Sequence, residues 1–144
     1  MSITTMPTIQ EANIEWNLIR AHMAKMMVNY AIKVMSGVVD TWRVCEFDDI
    51  ENQSDEMKFY INLSCQLGIM WIDVTSFNPE WIVTRAEFGT VLSRILHGNT
   101  YNNWKFFYTN HLRILKEKWI IKNDDPSLKE LRGYVMLMLM RAGE

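Results

Sequence analysis

The chain is predicted to be all-α. Five stretches repeat apolar residues at helical spacing, three open on a capping box, and none alternates convincingly as a strand. Eleven methionines against six glycines and three prolines favour helix as well. The run Val135 to Met140 could pass for a buried strand, but its unbranched Met/Leu choice argues for helix.

The first helix is expected from about Gln10 to Met35, behind a capping box at Thr8 and Glu11. Ile19, Met23, Met26, Met27, Tyr30 and Val34 form its apolar face, and Gly37 ends it. Val38 to Gln53 reads as a loop anchored by Cys45, Phe47 and Ile50. Its Asp48-Asp49 pair invites calcium but lacks the EF-hand spacing, so turn and cap chemistry is the plainer reading. Ser54-Asp55-Glu56 starts the second helix, which carries Met57, Tyr60, Ile61, Ser64, Cys65 and Leu67 and stops at Gly68. Ile69-Met70 is a short apolar segment, and Thr75 to Trp81 is a turn region around Asn78-Pro79.

The third helix is the best specified. Thr84 and Glu87 form a capping box in which each reaches the other's backbone amide. Phe88, Val91, Leu92, Ile95 and Leu96 follow at helical spacing, and His97-Gly98-Asn99 closes the helix. Arg85 lies on the first turn, beside amides that could meet an anion. After a loop at Asn99 to Asn103, a fourth helix is expected from about Lys105 to Lys118. Tyr108, His111, Leu112, Leu115 and Trp119 lie along one of its sides. Asn123-Asp124-Asp125-Pro126 breaks it, Ser127 and Glu130 form a further capping box, and Leu131, Val135, Met138, Leu139 and Ala142 define the last helix.

A chain of 144 residues, 49% apolar and with a formal charge of -2, can bury a core in one domain or two small ones. It has neither a polybasic tract nor an acidic tail, which argues against nucleic-acid binding. No apolar run approaches the roughly 18 residues of a membrane span. Met1 to Pro7 lacks the blocks of a signal peptide, so export would need a larger parent protein. Cys45 and Cys65 are either two buried thiols or a disulfide that ties a loop to a helix.

The chain also repeats itself. Pro79 stands six residues before Arg85 and Pro126 six before Arg132, while Gly68-Ile69-Met70 aligns with Trp119-Ile120-Ile121. The same register pairs Met57 with Tyr108 and Ile61 with Leu112. Each unit is a helix, an apolar stop, a proline turn and a second helix that opens on arginine. Arg20-Ala21-His22-Met23 supplies a third arginine start.

These motifs resemble the S-layer homology domain. Thr84-Arg85-Ala86-Glu87-Phe88 matches that family's helix start letter for letter, Phe77-Asn78-Pro79 its Phe-x-Pro, and Leu67-Gly68-Ile69 its Leu-Gly-Ile. The starts at Arg20 and Arg132 are divergent copies. The long first helix, the cysteine pair and the Arg132-Gly133-Tyr134 ending look like a divergent branch found in large surface proteins of uncultivated bacteria. The resemblance implies tandem helix-loop-helix repeats around a pseudo-threefold axis, with grooves that hold anionic, pyruvylated cell-wall polysaccharide. It implies a partial first repeat at 10–37, a second at 45–97 and a third at 101–142, in a domain spanning 10–144 behind a flexible segment at 1–9. It also implies a disulfide between Cys45 and Cys65.

Carried over by position, the carboxylate-gripping arginine is Arg85, followed by Arg132 and Arg20, whose +2 residues are Tyr134 and His22 in place of glutamate. An arginine fork suits a carboxylate; the plain alternative for each arginine is a solvated first-turn charge or an ion pair. Thr84, Glu87, Gly68 and Pro79 are structural parts of the motif. No zinc-ligand spacing, phosphate loop, nucleophile elbow or paired catalytic carboxylates are present. The expectation is therefore a non-catalytic module without metal or cofactor. It would anchor a larger exported protein at the cell surface by binding glycan. The alternatives are a protein-protein module in surface-layer assembly with degenerate grooves, and an intracellular helical adaptor with free thiols.

The six tryptophans stand in unusual places. Trp119 aligns with Gly68, while Trp71 and Trp81 stand where the family shows glycine. Trp16, Trp42 and Trp104 lie in cap or loop contexts. Some bacteria read UGA as glycine where another common table reads tryptophan. Glycines translated with the wrong table would give this pattern.

Overall fold

Five helices carry the described part of the chain: α1 (Arg20–Lys33), α2 (Asp55–Gln66), α3 (Arg85–His97), α4 (Thr109–Glu117) and α5 (Arg132–Ala142). The structure, a computed structural model, describes residues 16–34, 39, 41–70, 75–103 and 105–143. Among these residues there is no strand, only three isolated β-bridges, so the fold is all-α. α2 packs along α1 and α4 along α3. Tyr30, Phe77, Phe88, Leu92, Leu115 and Leu139 meet in one core, where each such side chain stabilises the fold by about 1.5–3 kcal/mol.

Three extended lead-ins hold the helix starts together. The amide of Leu18 donates to the carbonyl of Glu130, that of Glu130 to Val83, and that of Val83 to Leu18, at 2.8 to 2.9 Å. One step on, Arg20 donates to Trp81, Arg85 to Leu128 and Arg132 to Trp16, again from backbone to backbone. The closed cycle satisfies polar groups that a short extended segment cannot satisfy by itself. It also corrects the expected start of the first helix. Residues 17–19 are taken up by partners elsewhere in the chain, so α1 begins at Arg20, without a side-chain cap. It ends at Lys33; the expected cap at Thr8 and Glu11 and the stop at Gly37 lie outside the described residues.

The last helix starts late for the same reason. Lys129 and Leu131 pair with Thr84 and Asn17, and α5 begins at Arg132 behind an uncapped Leu131. Ser127 and Glu130 therefore form no capping box; the Ser127 hydroxyl donates to Asp125. α4 also begins later than expected, at Thr109, after a turn in which the Thr109 amide donates to the Phe106 carbonyl. α2 starts as expected, with the Ser54 hydroxyl accepting from the Met57 amide.

Two helix ends share one geometry. Gly68 has φ +75° and Trp119 φ +63°. After α2, Gly68 N donates to Cys65 O and Ile69 N to Ser64 O; after α4, Trp119 N donates to Lys116 O and Ile120 N to Leu115 O. Both are left-handed Schellman ends, a conformation that suits glycine and strains tryptophan. Trp119 is 82% exposed, off the apolar side where it was expected, while His111, Leu112 and Leu115 are buried. Pro79 and Pro126 serve the helix starts, their carbonyls accepting from Ala21 and Ala86.

The 41–53 loop is held from two sides. Asp49 accepts from the amides of Phe77 and Asn78, and Asp48 accepts from the Ser76 hydroxyl, so the acidic pair clamps the proline turn. Cys45 is joined to Cys65 with an S–S distance of 2.04 Å, and Arg43 donates to the Cys65 carbonyl at 2.9 Å. Phe47 packs edge-on against Phe77 at 5.3 Å.

Candidate functional site

The first turn of α3 has no spare amides. Arg85 N donates to Leu128 O and Ala86 N to Pro126 O; Glu87 N is capped by Thr84 Oγ1, and Phe88 N bonds Thr84 O. The expected amide site for an anion is thus occupied by protein, and an anion must be met by side chains. The capping box is half formed. Thr84 caps Glu87, but the Glu87 carboxylate accepts from the Thr84 hydroxyl and from Arg20 Nε at 2.9 Å, not from the Thr84 amide. Glu87 is turned away from its own backbone by a charge on another helix.

The three arginines have different surroundings. Arg20 is paired with Glu87, donates to the Phe77 carbonyl at 3.2 Å, and lies 5.0 Å from the Trp81 ring. Arg85 forks onto the buried carboxylate of Glu130, with Nη2 3.3 Å from Oε2, and Nη1 donates to the Asn123 carbonyl at 2.7 Å. Three of its five N–H groups are used. Burial pushes the Glu130 carboxyl up, and the Arg85 hydrogen bond and charge oppose that shift. Arg132 is buried, and among the described residues its side chain has no hydrogen-bond or ion-pair partner. It stands near His22, whose pKa is lowered first by burial and then by the Arg132 charge.

Arg85 also lines a cavity of about 390 Å³ between the 121–128 segment and α5. Ile121, Leu128, Leu137 and Met138 give it apolar walls; Lys122, Tyr134 and Arg141 add polar groups, and no carboxylate lies on its lining. The size and the mixture suit a small organic group. Arg85 is already paired with Glu130, so the charge that favours a negative one comes from Lys122 and Arg141. Arg20 and Arg132 do not line this cavity, so the structure does not gather the three motif arginines into one site.

Glu130 went unrecognised as a partner of Arg85. The repeat register carries the signal: it places Glu130 in the column of Leu18 and Val83, where a carboxylate needs a buried cation. Lys122 and Arg141 belong to no repeated motif, and nothing local in the sequence singles them out.

A second polar cluster is structural. His111 is fully buried, with Nδ1 2.7 Å from Ser93 Oγ and Nε2 2.8 Å from Asn102 Oδ1. Asn102 Oδ1 also accepts from Arg94, so Nε2 carries the proton and Nδ1 accepts from Ser93. Ser93 is equally buried and presents no nucleophile to solvent. Among the described residues no three His, Cys, Asp or Glu side chains converge as metal ligands, and no helix is long and apolar enough to cross a membrane. No protein-family model matches the chain, and no curated protein matches it.

Proposed function

We propose that this chain is a non-catalytic anchoring module, similar to the S-layer homology domain, that binds anionic cell-wall polysaccharide as part of a larger exported surface protein. The observation that carries this reading is the cavity in which Lys122 and Arg141 stand without a carboxylate on the lining, beside an Arg85 paired with Glu130. Tyr134 and the apolar walls offer surface for the carbon skeleton of a sugar acid, and the cations meet its charge. The Cys45–Cys65 disulfide supports an oxidising location, and the closed cycle of lead-ins supports repeats related by a threefold arrangement.

The test is co-sedimentation with purified acidic cell-wall polysaccharide. The parent protein should bind, more weakly as salt rises, and the double variant Lys122→Ala/Arg141→Ala should lose at least about tenfold in affinity while remaining folded. No binding by the parent protein at low salt sinks the reading. Arg85→Ala is a poor probe, because it strands the buried Glu130 carboxylate.

The second reading, a protein-protein module in surface-layer assembly with degenerate glycan grooves, is favoured by one specific observation. Arg20 and Arg85, the first and second copies of the motif arginine, are each neutralised by a carboxylate.

A further inference from the structure

Each arginine start is built against the next one in a closed order. The amide of Arg20 donates to the Trp81 carbonyl, that of Arg85 to Leu128 and that of Arg132 to Trp16. Every acceptor lies four residues before the next arginine of the cycle. The side chains keep the same order. Arg20 is paired with Glu87, two residues after Arg85. Arg85 shares its cavity with Tyr134, two residues after Arg132. Arg132 acts on His22, two residues after Arg20, whose pKa burial lowers first and the Arg132 charge second. In all three cases an arginine meets the side chain two places past the arginine that follows it in the cycle.

Those side chains differ in charge, and the grooves differ with them. Glu87 brings a carboxylate to 2.9 Å from Arg20 Nε, where a carboxylate from solution would bind. The helix cap does not need that carboxylate, because the Thr84 hydroxyl accepts from the Glu87 backbone amide. Tethered to the groove, it acts at a high effective concentration and keeps a free anion out. Tyr134 brings no charge and is exposed, and the cavity beside it stays open. Glu130 neutralises Arg85 but is fully buried and absent from the lining, so it fills none of that space. We propose that the side chain two places after each motif arginine decides whether the groove of the arginine before it in the cycle admits an anion. Glu87 fills the Arg20 groove with the chain's own carboxylate, and Tyr134 leaves the Arg85 cavity open. The Tyr134 half rests on the reading of that cavity as an anion site, whereas the Glu87 half is independent of it.

The probe is methyl glucuronide, a small sugar acid, titrated into the intact protein and followed by backbone amide shifts in NMR spectra. In the parent, saturable shifts are expected along 121–128 and α5, and none at Ala21, Phe77 or Asn78 around Arg20. Glu87→Gln keeps the size of the side chain and the Thr84 cap, and its spectrum reports that it is folded. It should gain saturable shifts at Ala21, Phe77 and Asn78, and Glu87→Gln/Arg20→Met should lose them again. Tyr134→Glu, at an exposed site, should weaken binding at the cavity at least about tenfold, by setting an acid beside Lys122 and Arg141. No gained shifts in Glu87→Gln, a gain that survives Arg20→Met, or cavity binding unchanged by Tyr134→Glu would overturn the proposal. Absence of cavity shifts in the parent would sink the anchoring reading instead, and the Glu87→Gln result then decides this proposal alone.

Discussion

Arg85 and Glu130 form a buried, forked ion pair that joins the first turn of α3 to the lead-in of α5. Neither charge can be removed alone without leaving the other stranded. Glu130→Ala should therefore cost about 3–5 kcal/mol of stability. The double variant Arg85→Met/Glu130→Leu should cost clearly less than the sum of its single changes. Urea unfolding of the four proteins measures both, and additivity would show that the pair is not coupled.

Gly68 and Trp119 end their helices in one left-handed geometry, but only glycine adopts it without strain. Trp119→Gly should raise stability by about 1 kcal/mol, since the exposed ring has little packing to lose. Gly68→Ala should lower it, because its Cβ would also fall 2.8 Å from Arg43 Nη1. Thermal unfolding reads both. Gene sequencing tests the recoded-glycine idea directly: UGG codons at Trp71, Trp81 and Trp119 would end it.

Burial, with the nearby Arg94 charge, holds the His111 pKa at about 4, against 6.5 for a free imidazole. The unfolded chain therefore binds this proton more readily than the folded one. The stability contribution of neutral His111 is complete above pH 6.5 and is lost as pH falls from 6.5 toward 4, by about 3 kcal/mol in all. Denaturant midpoints across that range should fall in the parent and flatten in His111→Gln. An unchanged slope in that variant would assign the loss to other groups.

The Cys45–Cys65 bridge closes a segment with a sequence separation of 20 between the loop and α2. Its reduction should cost about 3 kcal/mol on loop-entropy grounds. Cys45→Ser should unfold at a lower denaturant concentration and lose the parent's sensitivity to dithiothreitol. Equal stability with and without reductant would show that the bridge constrains little.

Much of the fold was legible because its signals are local. The Ser54 and Thr84 caps, the left-handed stops at Gly68 and Trp119, and the buried rows of α1, α3 and α5, apart from an exposed Val34, all follow from contacts within a few residues. The missed starts share one cause. Residues 17–19 and 128–131 read as helix, but they hydrogen-bond to extended segments that lie far away along the chain.

By itself the sequence determined the all-α class, the capped start of α3 at Arg85, and the left-handed place that Trp119 occupies. Only the tertiary structure decided what the arginines meet: Glu87 for Arg20, Glu130 for Arg85, and no paired carboxylate for Arg132 among the described residues. It also brought Lys122 and Arg141 to one cavity. The physical reason is range. Helix periodicity and capping act over about four residues, whereas the two ion pairs close over 67 and 45 residues, where only packing selects the partner.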